Sequence, residues 1–416
     1  TGDVTQDISS AGFLDPRIIT PSLGITATGN VDLQSINQVD TLAIDAGGSV
    51  DFNNTGAVTI GTVSASAPFT GETGVTTTNG SISITADGTL TAAEVVNAGG
   101  TGSNVNLTTT SSGDVIVDNV QAVNDQITII ADGAIVEETP ADGGVDLVAS
   151  TINLTAETGI GTMSEAIEIN ASVMSGMGLT ATVNTAGPIN VRDFNGLNVT
   201  SATTNDGDIT ISAGGVLRAE SVIAGGSGNV DLTATGSNVA VGVVTAMGDD
   251  VTIDAASAIT DLNGPGTLNI TSMNLLLEAN DNISTNICVD NVQAISATGT
   301  ISLRTHKDVN VADLGGTPMV GLSTSGSNSI TLDDQGGPFT YTLVIADGIS
   351  DNSPVILNDG ANLDLNNADE TIGSLAGDGD VFLGSGTLTT GSAGSSTYNG
   401  NISGSGGLTK VGVFLF

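Results

Sequence analysis

Apolar and polar residues alternate along this chain in very short runs. The recurring unit is apolar–polar–apolar, three or four residues long, fenced by Gly, Asn, Asp, Ser or Thr, as in Ile82-Ser83-Ile84, Val105-Asn106-Leu107 and Ile127-Thr128-Ile129. Successive side chains of a strand point to opposite faces, so each unit predicts a short strand with one face buried. Apolar positions at helical spacing do not recur, and the best helix formers are thinly used, so no long helix is expected.

The strongest units are marked by Ile82, Val105, Ile127, Val145, Ile167, Ile189, Ile209, Val230 and Val251, about 21 residues apart. Weaker units fall between them, such as Val115/Val117, Leu197/Val199 and Val239/Val241. Each step therefore holds two or three short strands joined by tight turns. Repeats of this length mean a solenoid, a propeller or an array. A longer repeat lies over the short one. Residues 81–135 match 208–259: Ala98-Gly99-Gly100 answers Ala224-Gly225-Gly226, and Asn104-Val105-Asn106-Leu107 answers Asn229-Val230-Asp231-Leu232. The offset drifts by only a few residues, which points to a duplicated block of coils.

Three short strands per step fit a parallel β-helix best, with core rungs at Ile82, Val105, Ile127, Ile189, Ile209, Val230 and Val251. At this coil length the chain has room for about 20 coils. A propeller is the competing architecture, but its blades carry aromatic signatures, and this chain has 2% aromatic residues and no Trp. The Asp-Gly pairs ending at Gly88, Gly133 and Gly207 mark corners that need positive φ. We read residues 1–335 as one β-solenoid containing the duplication. Composition changes at Gly336-Gly337-Pro338, and 336–416 reads as the same fold continued with a different coil type.

The tail carries a resemblance. Glu370-Thr371-Ile372-Gly373-Ser374-Leu375-Ala376-Gly377, Leu383-Gly384-Ser385-Gly386-Thr387-Leu388 and the run from Tyr398 through Gly404-Ser405-Gly406-Gly407-Leu408-Thr409-Lys410 resemble the autotransporter-associated β-strand repeat over about residues 360–410. The preceding Gly-x-Ile-x-Ile-x-Ala units are similar, in composition, to filamentous-haemagglutinin-like exoproteins. Neither the amino-terminal secretion domain nor the carboxy-terminal barrel of those families is visible in the sequence. The resemblance implies a right-handed parallel β-helix, secreted or displayed on the surface of a Gram-negative-type bacterium. It names no ligand.

Charge then narrows the functional classes. Lys and Arg total 6 against 45 Asp and Glu, a net charge of −39. Six basic residues cannot neutralise a nucleic-acid backbone, so no nucleic-acid partner is expected. No apolar run reaches the length of a membrane span, so this segment is not expected to insert in a membrane. One Cys and one His exclude an internal disulfide and a zinc site of the usual ligands, leaving oxygen-liganded Ca²⁺ as the metal the composition allows. The candidate ligands are Asp249, Asp250, Asp333, Asp334, Asp378 and Asp380, with Asp369-Glu370 and Glu137-Glu138 as further acidic pairs. Gly225 to Asp231 comes nearest to a calcium β-roll nonapeptide, with its acid one place late.

Arg304-Thr305-His306-Lys307 is the one basic cluster. It reads either as base and electrophile of a polysaccharide lyase, with Arg192 as a further candidate, or as a solvated strand end that relieves acidic repulsion. The second reading is the simpler, because sugar-stacking aromatics and clustered basic residues are scarce. Cys288, between Ile287 and Val289, reads as a small half-buried side chain or as an outward thiol that pairs between molecules. The chain starts Thr1-Gly2-Asp3 and stops on Val413-Phe414-Leu415-Phe416, which reads as a processed product or a fragment. The expectation is a non-enzymatic structural or adhesive solenoid whose open coil ends pair longitudinally with copies of itself, and which meets a host or matrix ligand of unknown kind. The alternatives are a lyase or hydrolase on the same fold and a calcium-dependent surface-layer or matrix protein.

Overall fold

The structure, a computed structural model, describes residues 2–6, 17–138, 143–263, 268–279, 288–291, 301–305, 330–333, 339–342, 349, 351–352, 354–358, 360–391 and 394–412. They are all strand, turn and bend, without helix. The chain forms a β-solenoid of parallel coils about 21 residues apart, about 14 turns in all. It divides into two compact units, Thr1–Ile211 and Ser212–Phe416.

Alternation builds the first unit directly. Its coils have three faces, and each face carries a ladder of inward side chains in register. On the first face the rungs are Val31, Val50, Ile82, Val105, Ile127, Ile152, Leu179 and Val199. On the second they are Val58, Leu90, Val115, Ile135, Ile160 and Ile189. On the third they are Ile44, Val75, Val96, Val120, Leu147 and Ile169, and the column then ends on Asp193. None of these residues is more than 1% exposed. Small branched side chains suit this geometry, because rungs stack at the spacing of hydrogen-bonded strands. The residues between the rungs point out, which produces the buried–intermediate–buried pattern of Val105–Thr109 and Val115–Val117.

The spacing read from the sequence locates coils but not faces. Ile82, Val105 and Ile127 are successive rungs of one face. Val145 is half-buried and outside a strand, and the neighbouring rung is Leu147. Ile167 and Ile189 are buried, but they belong to the other faces; Ile152 and Leu179 take their places on the first. Coils are also longer than their nominal period. Between the rungs Val50 and Ile82 the chain makes an antiparallel excursion, Thr62–Val63 against Glu72–Thr73, and the Phe69 ring closes over Gly24. This excursion makes that coil 32 residues long, and the turns are fewer than about 20.

In the second unit one ladder runs Val230, Val251, Leu275, Ile301, Ile330, Val355 and Leu375 in backbone register. The tail is coiled as well. Phe339–Thr342, Ala361–Asp364, Val381–Gly384 and Ile402–Gly404 stack in parallel, as do Glu370–Ile372, Thr387–Thr390 and Gly407–Lys410. The compositional change at 336–338 lies outside the described residues. Val96, Val105, Leu107, Val115, Val117 and Val120 are buried, and so are Val222, Val230, Leu232, Val239, Val241 and Val244. Gly88 takes a φ of 146° and Gly207 one of 159°, while Gly133 is not in the positive-φ region.

Candidate functional site

Among the described residues, several corner acids and amides hold coils together. Asp114 Oδ1 accepts the amide of Ala134 at 2.8 Å, Asn104 Oδ1 that of Gln126 at 3.2 Å, and Asp125 those of Gly102 and Ser103 at 2.9 and 3.0 Å. The second unit repeats the device: Asn238 Oδ1 accepts Ala258 N at 3.0 Å and Asp369 Oδ1 accepts Thr387 N at 2.7 Å. Each bond joins a side chain at or beside a corner to a backbone amide of an adjacent coil.

Of the proposed calcium ligands, Asp380 uses this device and Asp378 bonds a side chain of the adjacent coil. Asp380 Oδ1 accepts Asn401 N at 2.8 Å, and Asp378 Oδ1 accepts Asn399 Nδ2 at 2.8 Å. Asp250 donates its amide to Asn229 Oδ1 at 3.1 Å, where the long strand Val239–Ala255 shifts register after Ala246. The Tyr398 hydroxyl bridges Gly379 O at 2.6 Å and Asn401 O at 3.0 Å, and burial, then the Asp380 carboxylate, pushes its phenol up to about 12. Asp334, His306 and Lys307 lie outside the described residues. The strand Ile301–Thr305 puts Arg304 at the register position between Glu278 and Asp333. Arg192 is exposed and its guanidinium stacks 4.5 Å above the Phe194 ring. The side chain of Cys288 lies outside the described residues.

Three acids that the sequence does not unite are brought together by stacking. Glu137, Asp146 and Glu168 come from neighbouring coils, and one carboxylate oxygen of each lies within 4.8 Å of the others. They are 9%, 2% and 7% exposed. Asp146 Oδ2 also accepts the Glu168 amide at 2.8 Å. Three ionised carboxylates this close repel one another, and a cation among them would remove that cost. Among the described residues this is the group of acids able to share a cation. Glu137 pairs in this way across coils rather than with its neighbour Glu138.

Two further carboxylates report on burial. Asp193 ends the third ladder, 0% exposed, with its oxygens accepting Ala171 N at 2.9 Å and Asn195 N at 2.7 Å. Burial holds its carboxyl above the usual range, opposed by those two amides. Asp51 faces Asp32 in register, and burial, then the Asp32 charge, raises its carboxyl too. A folded-state pKa above that of the unfolded chain gives stability that is full in strong acid. That stability is lost as pH rises through the folded value. Asp51→Asn should therefore raise the melting temperature by about 2 °C at neutral pH and leave it unchanged in strong acid. Thermal melts of both proteins across acid pH check this; an equal gain at every pH would remove the charge explanation.

A concavity of about 280 Å³ opens on the first unit where three successive corners differ in length. Its walls come from Val123-Asn124, from Val148-Ala149-Ser150 and from Asn170-Ala171-Ser172. The strand Val120–Ala131 shifts register against Leu147–Ala156 between Ala122 and Gln126, so Asn124 bulges with a φ of 67°. The corner after Asn170 loops out before the next strand starts at Gly178. Comparison with family models, with curated proteins and with solved structures gives no match.

Proposed function

We propose that this chain is an extracellular structural or adhesive β-solenoid, without enzymatic activity, whose rods associate end to end. The observation that carries the reading is the use made of its acids: at corner after corner they bind the backbone of the adjacent coil. Side chains spent in this way build length. The resemblance of residues 360–410 to the autotransporter-associated repeat supports export to a bacterial surface. A parallel solenoid also ends in strand edges that accept another coil. The net charge of −39 keeps such rods apart at low salt, so association should strengthen as charge is screened.

Negative-stain electron microscopy at high protein concentration, with and without millimolar Ca²⁺, tests this. Filaments or end-to-end chains of rods are expected, and single particles under both conditions would sink the self-association. Filaments that appear only with calcium would favour the second reading, a calcium-dependent surface-layer or matrix protein, to which the grouping of Glu137, Asp146 and Glu168 lends support. Cleavage of an acidic polysaccharide by the parent chain, abolished in Arg304→Ala, would replace both readings with a lyase.

A further inference from the structure

We propose that the concavity between the three unequal corners of the first unit binds a neutral saccharide. This deepens the adhesive half of the proposed function by giving it a ligand class. The first observation is charge. In a chain of net charge −39 the walls of this hollow carry no ionisable side chain. Asp125, next to Asn124, accepts Gly102 N and Ser103 N of an adjacent coil, and the buried Asp193 accepts the Ala171 amide. An ionic ligand would find no counter-charge here, and a cation no ligand set.

The second observation is the polar chemistry of the walls. Asn124, Ser150, Asn170 and Ser172 supply amide and hydroxyl groups from three coils. The side chains of Asn124, Ser150 and Asn170 make no hydrogen bond within the described structure, and Ser172 Oγ accepts only Met174 N, at 3.1 Å, keeping its own proton to donate. Amides offer both donors and acceptors, and so do sugar hydroxyls, each of which needs both. The third observation is the apolar remainder. Val148, Ala149 and Ala171 line the same hollow, a surface for the C–H face of a pyranose ring. Convergent polar groups beside apolar surface are the elements from which a small-molecule site is built. The ridge-and-hollow relief comes from the bulge at Asn124 and the loop after Asn170, and both leave the ladders beneath undisturbed.

Saturation-transfer-difference NMR on the full chain tests the proposal, with glucose, galactose and N-acetylglucosamine offered singly and N-acetylglycinamide as a peptide-like comparison. At least one sugar should receive transfer with millimolar affinity. The double variant Asn124→Gly/Asn170→Ala should weaken it by about tenfold. Glycine accepts the positive φ at 124 and Asn170 is exposed, so the fold should be kept, and an unchanged melting curve checks that. No transfer to any of the three sugars would overturn the proposal. So would equal transfer in the folded double variant, or transfer to N-acetylglycinamide alone. None of these outcomes depends on filament formation, so sugar binding and self-association stand or fall separately.

Discussion

Ile127→Asp should unfold the coils around it and lower stability by more than about 4 kcal/mol. Ile127 is 0% exposed, with Val105 in register on one side and Ile152 on the other. Losing the isoleucine forfeits about 1.5–3 kcal/mol of apolar burial. The carboxylate then meets a ladder of aliphatic side chains with no donor among them, which adds several kcal/mol. Because each coil touches only its neighbours, the damage should be local. Hydrogen exchange should show protection lost in Val105–Thr109 and Leu147–Ala156 and kept in Val31–Ala46. Ile127→Val should cost about 1 kcal/mol, and Thr128→Ala, on the outward face, about 0.5 kcal/mol or less. An Ile127→Asp protein that melts with the parent would show that the register of the first face is wrong.

The second large effect is expected at a corner. Gly88 combines a φ of 146° with close contact: a Cβ there would lie 2.8 Å from Ala57 N and 2.9 Å from the Gly56 carbonyl carbon. Both neighbours are backbone of the coil below and cannot turn aside. Gly88→Ala should cost about 3 kcal/mol, from backbone strain and from pushing coils apart. Gly56 separates the two causes, because its φ is 84° but nothing lies within 4 Å of its would-be Cβ. Gly56→Ala should cost about 1 kcal/mol, strain alone. Equal losses in chemical denaturation would mean that contact between corners is irrelevant. Gly113 extends the same column, since its would-be Cβ meets Gly88.

How far the chain could be read in advance follows from which signals are local. Alternation is local, so the short strands, their inward residues and the parallel stacking were legible from units such as Val105-Asn106-Leu107 and Val230-Asp231-Leu232. Face assignment was not. It depends on the length of each corner, and nothing in alternation distinguishes the bulge at Val123 to Asp125 from a tight turn. Two long coils, from Ile127 to Ile152 and from Ile152 to Leu179, moved Val145, Ile167 and Ile189 off the face to which counting assigned them. The acids illustrate a different limit. An aspartate beside a glycine signals a turn whether its carboxylate serves its own turn or the amide of the adjacent coil, as Asp114 and Asp132 do. Glu137, Asp146 and Glu168 meet only through stacking. A faint signal did exist in Glu168, which stands between Ile167 and Ile169 at an outward position and yet is 7% exposed.

The corner bonds have a consequence for how such a chain can change over generations. The bond needs one oxygen on a short side chain, and Asn104, Asn238 and Asn362 supply it as well as Asp114, Asp369 and Asp380 do. Exchanging one residue for the other shifts the charge by a full unit and keeps the acceptor in place. Substitution at these sites is therefore close to neutral for folding and visible only to whatever the surface meets. A lineage can retune the charge of this surface without putting its architecture under selection.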